Sequence, residues 1–167
     1  LGVIGYGSIG REVARLCRAF GMEVLAYDPF VDASTLEEHT RLVELDELLS
    51  TADIVTVHCK DTPETPGIMS REAFAKMKET AYFINTSRGA LVDEAALIEA
   101  LRSKSIAGAA VDVFASEPIA KDHPFVAELD NVVITPHLAG ATNDAIDFHT
   151  KQLVCDVKHF VNNEPLE

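Results

Sequence analysis

Short apolar, β-rich runs alternate with helical patterns from one end of the sequence to the other. No other feature constrains the fold as tightly. The runs Leu1–Ile4, Glu23–Tyr27, Leu42–Glu44, Asp53–Val57, Ala81–Asn85, Ala107–Val113 and Val132–Thr135 read as strands. Helices are expected over Ser8–Phe20, near Asp46–Ser50, over Ser70–Met77 and Asp93–Ser103, and from about Thr142 to Val161. On the first, Ile9, Val13, Leu16, Cys17 and Phe20 share a face, and Gly21 stands where a helix-ending glycine belongs. Leu97, Ile98 and Leu101 mark the buried side of the fourth. Ile146, Leu153, Val154, Val157, Phe160 and Val161 form a stripe on the last. Ala115–Asn131 is the one long irregular stretch. Strands joined through helices need crossover connections, so the expected fold is α/β. It is a doubly wound parallel sheet of about seven strands, covered on both faces. Ligands of such sheets sit beyond the carboxyl ends of the strands, near the point where strand order reverses. Residues that carry chemistry should therefore come just after strands.

With 167 residues and 47% hydrophobic content, the chain is long enough for one stable domain. No apolar run approaches the length of a membrane helix. Acidic residues outnumber basic ones by 27 to 14, which leaves a net charge of −13. Such a surface repels nucleic acid and anionic lipid, although a local arginine can still hold a small anion. Cys17, Cys59 and Cys155 are odd in number and far apart, so they read as free thiols of a cytoplasmic protein. His39, His123, His149 and His159 show no ligand spacing, and no metal site is expected. Glu37 and Glu38 read as a solvated helix face, His58 as a packed or solvent-facing ring, and Cys59 as a pocket-lining residue.

The first turn is Gly5-Tyr-Gly7-Ser8-Ile9-Gly10, a G-x-G-x-x-G between a strand and a helix. Gly5 permits the tight turn, Gly7 lets a pyrophosphate approach the backbone, and Gly10 lets the helix close on the strand. The amides near Ser8 and Ile9 point the favourable end of the helix dipole at phosphate. Asp28 follows Gly10 by 18 residues, at the end of the second strand. A carboxylate there accepts hydrogen bonds from ribose hydroxyls and repels a 2′-phosphate, so NAD is preferred over NADP. Further polar groups follow later strands: Asn85-Thr86-Ser87-Arg88-Gly89, then Asp112 with Glu117-Pro118, then Pro136-His137. Together they suggest acid–base chemistry on an anionic substrate. Arg88 can hold a carboxylate in bidentate fashion, and His137 can exchange a proton near neutral pH beside a glutamate.

These residues give the chain a resemblance to the NAD-binding domain of the D-isomer-specific 2-hydroxyacid dehydrogenases. It is carried by Gly5–Gly10 with Arg11-Glu-Val, by Tyr27-Asp28-Pro29 and by Thr62-Pro-Glu-Thr65. It continues through Ile84-Asn-Thr-Ser-Arg88-Gly-Ala-Leu-Val-Asp93, Gly108-Ala-Ala-Val-Asp-Val-Phe114 with Glu117-Pro118, and Thr135-Pro-His137. The resemblance implies a Rossmann-type domain over residues 1–167, cut from a longer two-domain protein whose substrate-binding domain is absent from this chain. It implies that Arg88 binds the substrate carboxylate, that His137 is the acid/base, and that Glu117 is its paired glutamate. Asp112 is implied to lie near the nicotinamide, and Thr86, Ser87 and Gly140 to line the cofactor. The implied reaction is hydride transfer between NAD(H) and C2 of a 2-hydroxy or 2-oxo acid, in a homodimer. Phosphoglycerate dehydrogenase-like and glyoxylate/hydroxypyruvate reductase-like activities lead. Without the second wall of the cleft, the fragment is expected to bind NAD but turn over poorly.

The chain departs from the family pattern at Lys60 and Asp61, where a proline and an apolar residue are common, and at Ala139, where many members carry glycine. One alternative keeps the fold and drops the catalysis: an NAD-responsive interaction protein like the corepressors that share it. Another Rossmann enzyme with a different nucleotide, such as a methyltransferase, would leave the Arg, Glu and His set unexplained.

Overall fold

The computed structural model describes residues 1–165. Seven strands form one all-parallel sheet in the order β3-β2-β1-β4-β5-β6-β7. They are β1 (Gly2–Ile4), β2 (Val24–Tyr27), β3 (Thr40–Leu42), β4 (Ile54–Val57), β5 (Tyr82–Asn85), β6 (Gly108–Val111) and β7 (Val132–Ile134). The helices are α1 (Ser8–Ala19), α2 (Leu45–Thr51), α3 (Arg71–Lys76), α4 (Glu94–Arg102), α5 (Pro124–Ala127) and α6 (Asn143–Asn162). β1 pairs with both β2 and β4, so the winding direction reverses at that central pair. A crevice opens at such a reversal. The chain divides into two compact units, Leu1–Pro136 and His137–Glu167.

Strand side chains alternate between two apolar layers, as the pleat requires. Ile4, Leu25, Val55, Val57, Phe83 and Val111 face the larger core with Leu48, Leu49, Phe74, Leu97 and Leu101 from the helices. Phe74 meets Phe83 edge-on, with centroids 5.2 Å apart and planes at 88°. That geometry contributes about 1 kcal/mol beyond the buried area. Val3, Tyr6, Ala14, Val24 and Ala26 form the smaller core on the opposite face. There the expected two-sided cover is partial. Tyr82 and Val133 are 53% and 66% exposed, and they flank an open trough with Ile54, Ile84 and Ala110.

Three expectations need correction. The face of α1 that is buried runs through Gly10 and Ala14, not through the large apolar residues. Ile9, Leu16 and Phe20 are 64%, 48% and 84% exposed. The helix lies so close to β1 that a Cβ on Gly10 would overlap the Gly5 carbonyl oxygen. Only the smallest residues fit at the contact, and bulkier ones are displaced to its flank. β3 begins two residues before its expected start, and Val43 and Glu44 lead into α2. The irregular stretch contains α5, a single turn with proline at its first position. α6 forms over the expected span, but it buries none of its residues.

Candidate functional site

Main-chain geometry builds the end of β1. Gly5 has φ +88°, and a Cβ there would overlap the Cys59 backbone nitrogen at the end of β4. Its N–H donates to Tyr27 O at 2.9 Å, which ties the turn to β2. Gly7 is different: nothing lies within 4 Å of a Cβ built on it. Gly7, Ser8 and Ile9 are exposed while Gly5 and Gly10 are buried. α1 also lacks both a capping side chain and an acidic residue in its first turn. Elsewhere Ser70, Asp93 and Thr142 cap α3, α4 and α6. Open space beside Gly7, fronting uncapped amides at a positive helix end, fits the pyrophosphate of a dinucleotide.

Asp28 is held beside that space. Its Oδ2 accepts the Tyr6 N–H at 2.8 Å and its Oδ1 accepts the Phe30 N–H at 3.0 Å. Each oxygen keeps a lone pair for a ribose hydroxyl. Beneath it, the buried Tyr6 hydroxyl donates to Glu37, and that bond holds the Glu37 carboxyl below the usual carboxylate range. Arg18 donates to Thr40 Oγ1 at 2.6 Å, and Arg11 reaches Thr35 O at 2.9 Å while lying over the Tyr6 ring. Glu37 and Glu38 are exposed as expected but lie outside any helix, and Glu37 also anchors the segment after Asp28. No spacing rule finds this contact, because it joins residues 31 apart.

β4 ends in His58 and Cys59, directly under the glycine turn. His58 Nε2 lies 3.0 Å from Thr56 Oγ1, and burial lowers the pKa of the ring. Burial also pushes the Cys59 thiol up, which keeps it protonated and poorly nucleophilic.

Past β5 and β6, buried polar side chains shape the edge. Asn85 is 1% exposed; its Oδ1 accepts the Ser87 N–H and its Nδ2 donates to Arg88 O, both at 3.0 Å. Ser87 Oγ donates to Val57 O at 2.7 Å. This locked turn presents Arg88 to solvent, with one guanidinium nitrogen donating to Ser87 O at 2.7 Å. Thr86, also exposed, lies on the same turn. Gly89 packs directly on the Phe114 carbonyl, leaving no room for a Cβ. That contact brings the Arg88 turn against the Asp112–Glu117 turn. Asp112 is buried and accepts the Thr135 hydroxyl. Glu117 is exposed, and its Oε1 accepts the Phe114 N–H at 3.1 Å.

The first unit thus gathers Gly5, Gly7, Ser8, Ile9, Gly10, Asp28, Cys59, Thr86, Ser87, Arg88, Asp112 and Glu117 along the carboxyl edge of one sheet. His137 and Gly140 belong to the second unit. His137 has φ +53°, a left-handed conformation uncommon outside glycine. Such backbone is concentrated at functional positions. Nothing lies within 4 Å of a Cβ built on Gly140.

The model of the D-isomer specific 2-hydroxyacid dehydrogenase NAD-binding domain matches residues 1–139. D-3-phosphoglycerate dehydrogenase of Archaeoglobus fulgidus is 48% identical over 145 residues, 86% of this chain and 27% of that protein. Hydroxypyruvate reductase of Blautia hydrogenotrophica is 40% identical over 166 residues, 99% of this chain and 51% of that protein. A D-isomer specific 2-hydroxyacid dehydrogenase from Lactobacillus delbrueckii ssp. bulgaricus, solved with NAD, superposes with a TM-score of 0.90. The identity is 35%, over 98% of this chain and 53% of that one. Another from Xanthobacter autotrophicus Py2, solved with NADPH and MES, superposes with a TM-score of 0.88. Its identity is 36%, over 99% of this chain and 68% of that one. The chain spans between about a quarter and about half of the curated relatives it matches.

Proposed function

Since the chain belongs to the D-isomer specific 2-hydroxyacid dehydrogenases as their NAD-binding domain, we propose that it is the cofactor half of an oxidoreductase acting on a D-2-hydroxy acid or its 2-oxo counterpart. The observation that carries the reading is the contact of Gly89 with Phe114. Through it an exposed guanidinium stands beside the turn bearing Asp112 and Glu117, on the sheet edge that also bears the glycine turn.

Bound NAD(H) supplies the hydride exchanged with C2 of the acid. The amides at Ser8 and Ile9 hold its pyrophosphate, and Asp28 takes the ribose hydroxyls in preference to a 2′-phosphate. Cys59, Thr86, Ser87, Asp112 and Gly140 line its path. Arg88 grips the substrate carboxylate and so orients C2. In the reducing direction His137 gives its proton to the forming alkoxide, and Glu117 is the glutamate that the family resemblance pairs with it. The substrate is phosphoglycerate-like or a hydroxypyruvate/glyoxylate pair. Among the described residues no helix is long and apolar enough to cross a membrane. We place the protein in the cytoplasm as a homodimer. Its net charge of −13 argues against a nucleic-acid partner.

The test is NADH oxidation by the full-length protein with phosphohydroxypyruvate, hydroxypyruvate and glyoxylate. His137→Ala should lower kcat by roughly 10²–10⁴-fold. Parent-level turnover in that variant would refute the assignment. The isolated chain should bind NADH yet turn over far more slowly than the full protein, because half the cleft is open to water. Equal rates would remove the need for a second domain.

A further inference from the structure

Glu94 opens α4, and both of its carboxylate oxygens are engaged away from the residues assigned above. Oε1 lies 3.2 Å from His123 Nε2, and Oε2 accepts the Ala115 N–H at 3.1 Å. The two side chains are mostly buried, at 23% and 18% exposure. His123 Nδ1 accepts the Phe125 N–H at 3.2 Å, which fixes the tautomer: Nε2 carries the proton and donates it to Glu94. The imidazole packs on Phe125, with centroids 4.8 Å apart, and Phe125 packs on Phe114. One carboxylate therefore holds a loop at two places, Ala115 and His123, and Glu117 lies between them. The anchor itself is firm, since α4 buries Ala96, Leu97, Ala100 and Leu101 and is capped by Asp93. Glu94 also lines, with Asn85 and Gly89, the small cavity behind the Arg88 turn.

The arrangement needs a carboxylate specifically. A glutamine has one acceptor oxygen. If that oxygen takes the Ala115 N–H, its amino group faces His123 Nε2. The ring must then accept there and move its proton to Nδ1, which forfeits the Phe125 N–H. No tautomer satisfies all three bonds.

We propose that Glu94, acting through Ala115 and His123, is a positioning residue that sets Glu117 in place for proton transfer. The proposal rests on the role given to Glu117 above. The experiment is steady-state and pH-dependent kinetics of the full-length protein carrying Glu94→Gln, His123→Asn or Glu117→Gln, with NADH binding followed by its own fluorescence. Asparagine at 123 can still cap α5 but cannot span to Glu94, so it serves as a second reading should Glu94→Gln fold poorly.

The expected result is a kcat reduced by about tenfold in Glu94→Gln and His123→Asn, as for loss of a residue that orients a reacting group. NADH affinity should stay within about twofold, because the nucleotide cradle lies at β1 and β2. The pH profile of kcat/KM should move in the same direction as in Glu117→Gln. Parent kcat and an unmoved profile, even with a lowered Tm, would overturn the proposal and leave Glu94 a structural tie only. A reduced kcat with an unmoved profile would overturn it too, since the effect would not pass through Glu117. If Glu117→Gln lowers kcat and the other two do not, this inference alone fails. If Glu117→Gln is itself fully active, both it and the role of Glu117 fall.

Discussion

At the ends of β1 and β2 the surface is made of main chain: two glycines in contact with neighbouring backbone, a third facing open space, and amides that no side chain caps. At the ends of β5 and β6 it is made of side chains: buried Asn85 holds the turn that carries Arg88 outward, buried Asp112 takes the Thr135 hydroxyl, and Glu117 stands exposed beyond it. The first half is shaped for whatever comes close to a peptide backbone. The second is shaped for charge and protons. A dinucleotide needs both, because its pyrophosphate is recognised by amides and its reactive ring must meet polarising groups.

The sharpest way to separate the two kinds of construction is to add one methyl group at two neighbouring glycines. Gly10→Ala pushes a Cβ into the Gly5 carbonyl, and should cost about 3 kcal/mol or more of stability in urea unfolding, since backbone cannot yield as a side chain does. Gly7→Ala meets nothing in the protein and should change stability by under about 1 kcal/mol. It should nevertheless weaken NADH binding at least tenfold, because the methyl enters the space assigned to pyrophosphate. If both variants lost stability and affinity alike, Gly7 would not front a ligand.

On the other half, Asn85→Leu strands the Ser87 N–H and the Arg88 carbonyl. It should cost about 2 kcal/mol in the same unfolding experiment. Freed of its anchor, the Arg88 turn should bind the 2-oxo acid less well, raising KM by more than it weakens binding of NADH, which Thr86 and Ser87 line only in part. An Asn85→Leu protein that loses NADH and keeps KM would merge the halves that the structure separates. A smaller effect is expected at Asp28, where side-chain chemistry enters the main-chain half. The parent should prefer NADH to NADPH in calorimetry, and Asp28→Ala should narrow the gap by about tenfold, or 1.4 kcal/mol. Equal affinities in the parent would contradict the role given to that carboxylate.

The main-chain half was also the more legible in sequence. Glycine spacing, strand-to-helix context and an acid after the next strand are consequences of local geometry, so residue types at fixed offsets report them. Parallel topology followed from alternation for the same reason. The second half is held by contacts between distant residues: Ser87 with Val57, Gly89 with Phe114, Thr135 with Asp112. Such contacts leave no periodic trace, and only position after strands and the family resemblance mark Arg88 and Glu117. The buried face of α1 departs from its apolar stripe because a close helix–strand approach selects for size rather than hydrophobicity. α6 shows the converse limit, since periodicity predicts an apolar stripe but not what buries it.

His58 stands where the two halves meet and offers the mildest probe of them. Burial holds its pKa below the ordinary 6.5, so the folded protein binds a proton there less readily than the unfolded chain. Stability from this group is complete above pH 6.5 and is lost as pH falls from 6.5 toward the depressed folded value. The ring is only half-buried, and solvent screening holds the loss to under about 1 kcal/mol. Urea unfolding at intervals between pH 7.5 and 5.5 should show a shallower decline in His58→Gln, whose amide can still meet Thr56. NADH should deepen the difference if the nucleotide covers the end of β4, because a better-covered ring resists protonation more strongly. An identical pH slope with and without NADH would place the dinucleotide away from β4 and confine it to the main-chain half.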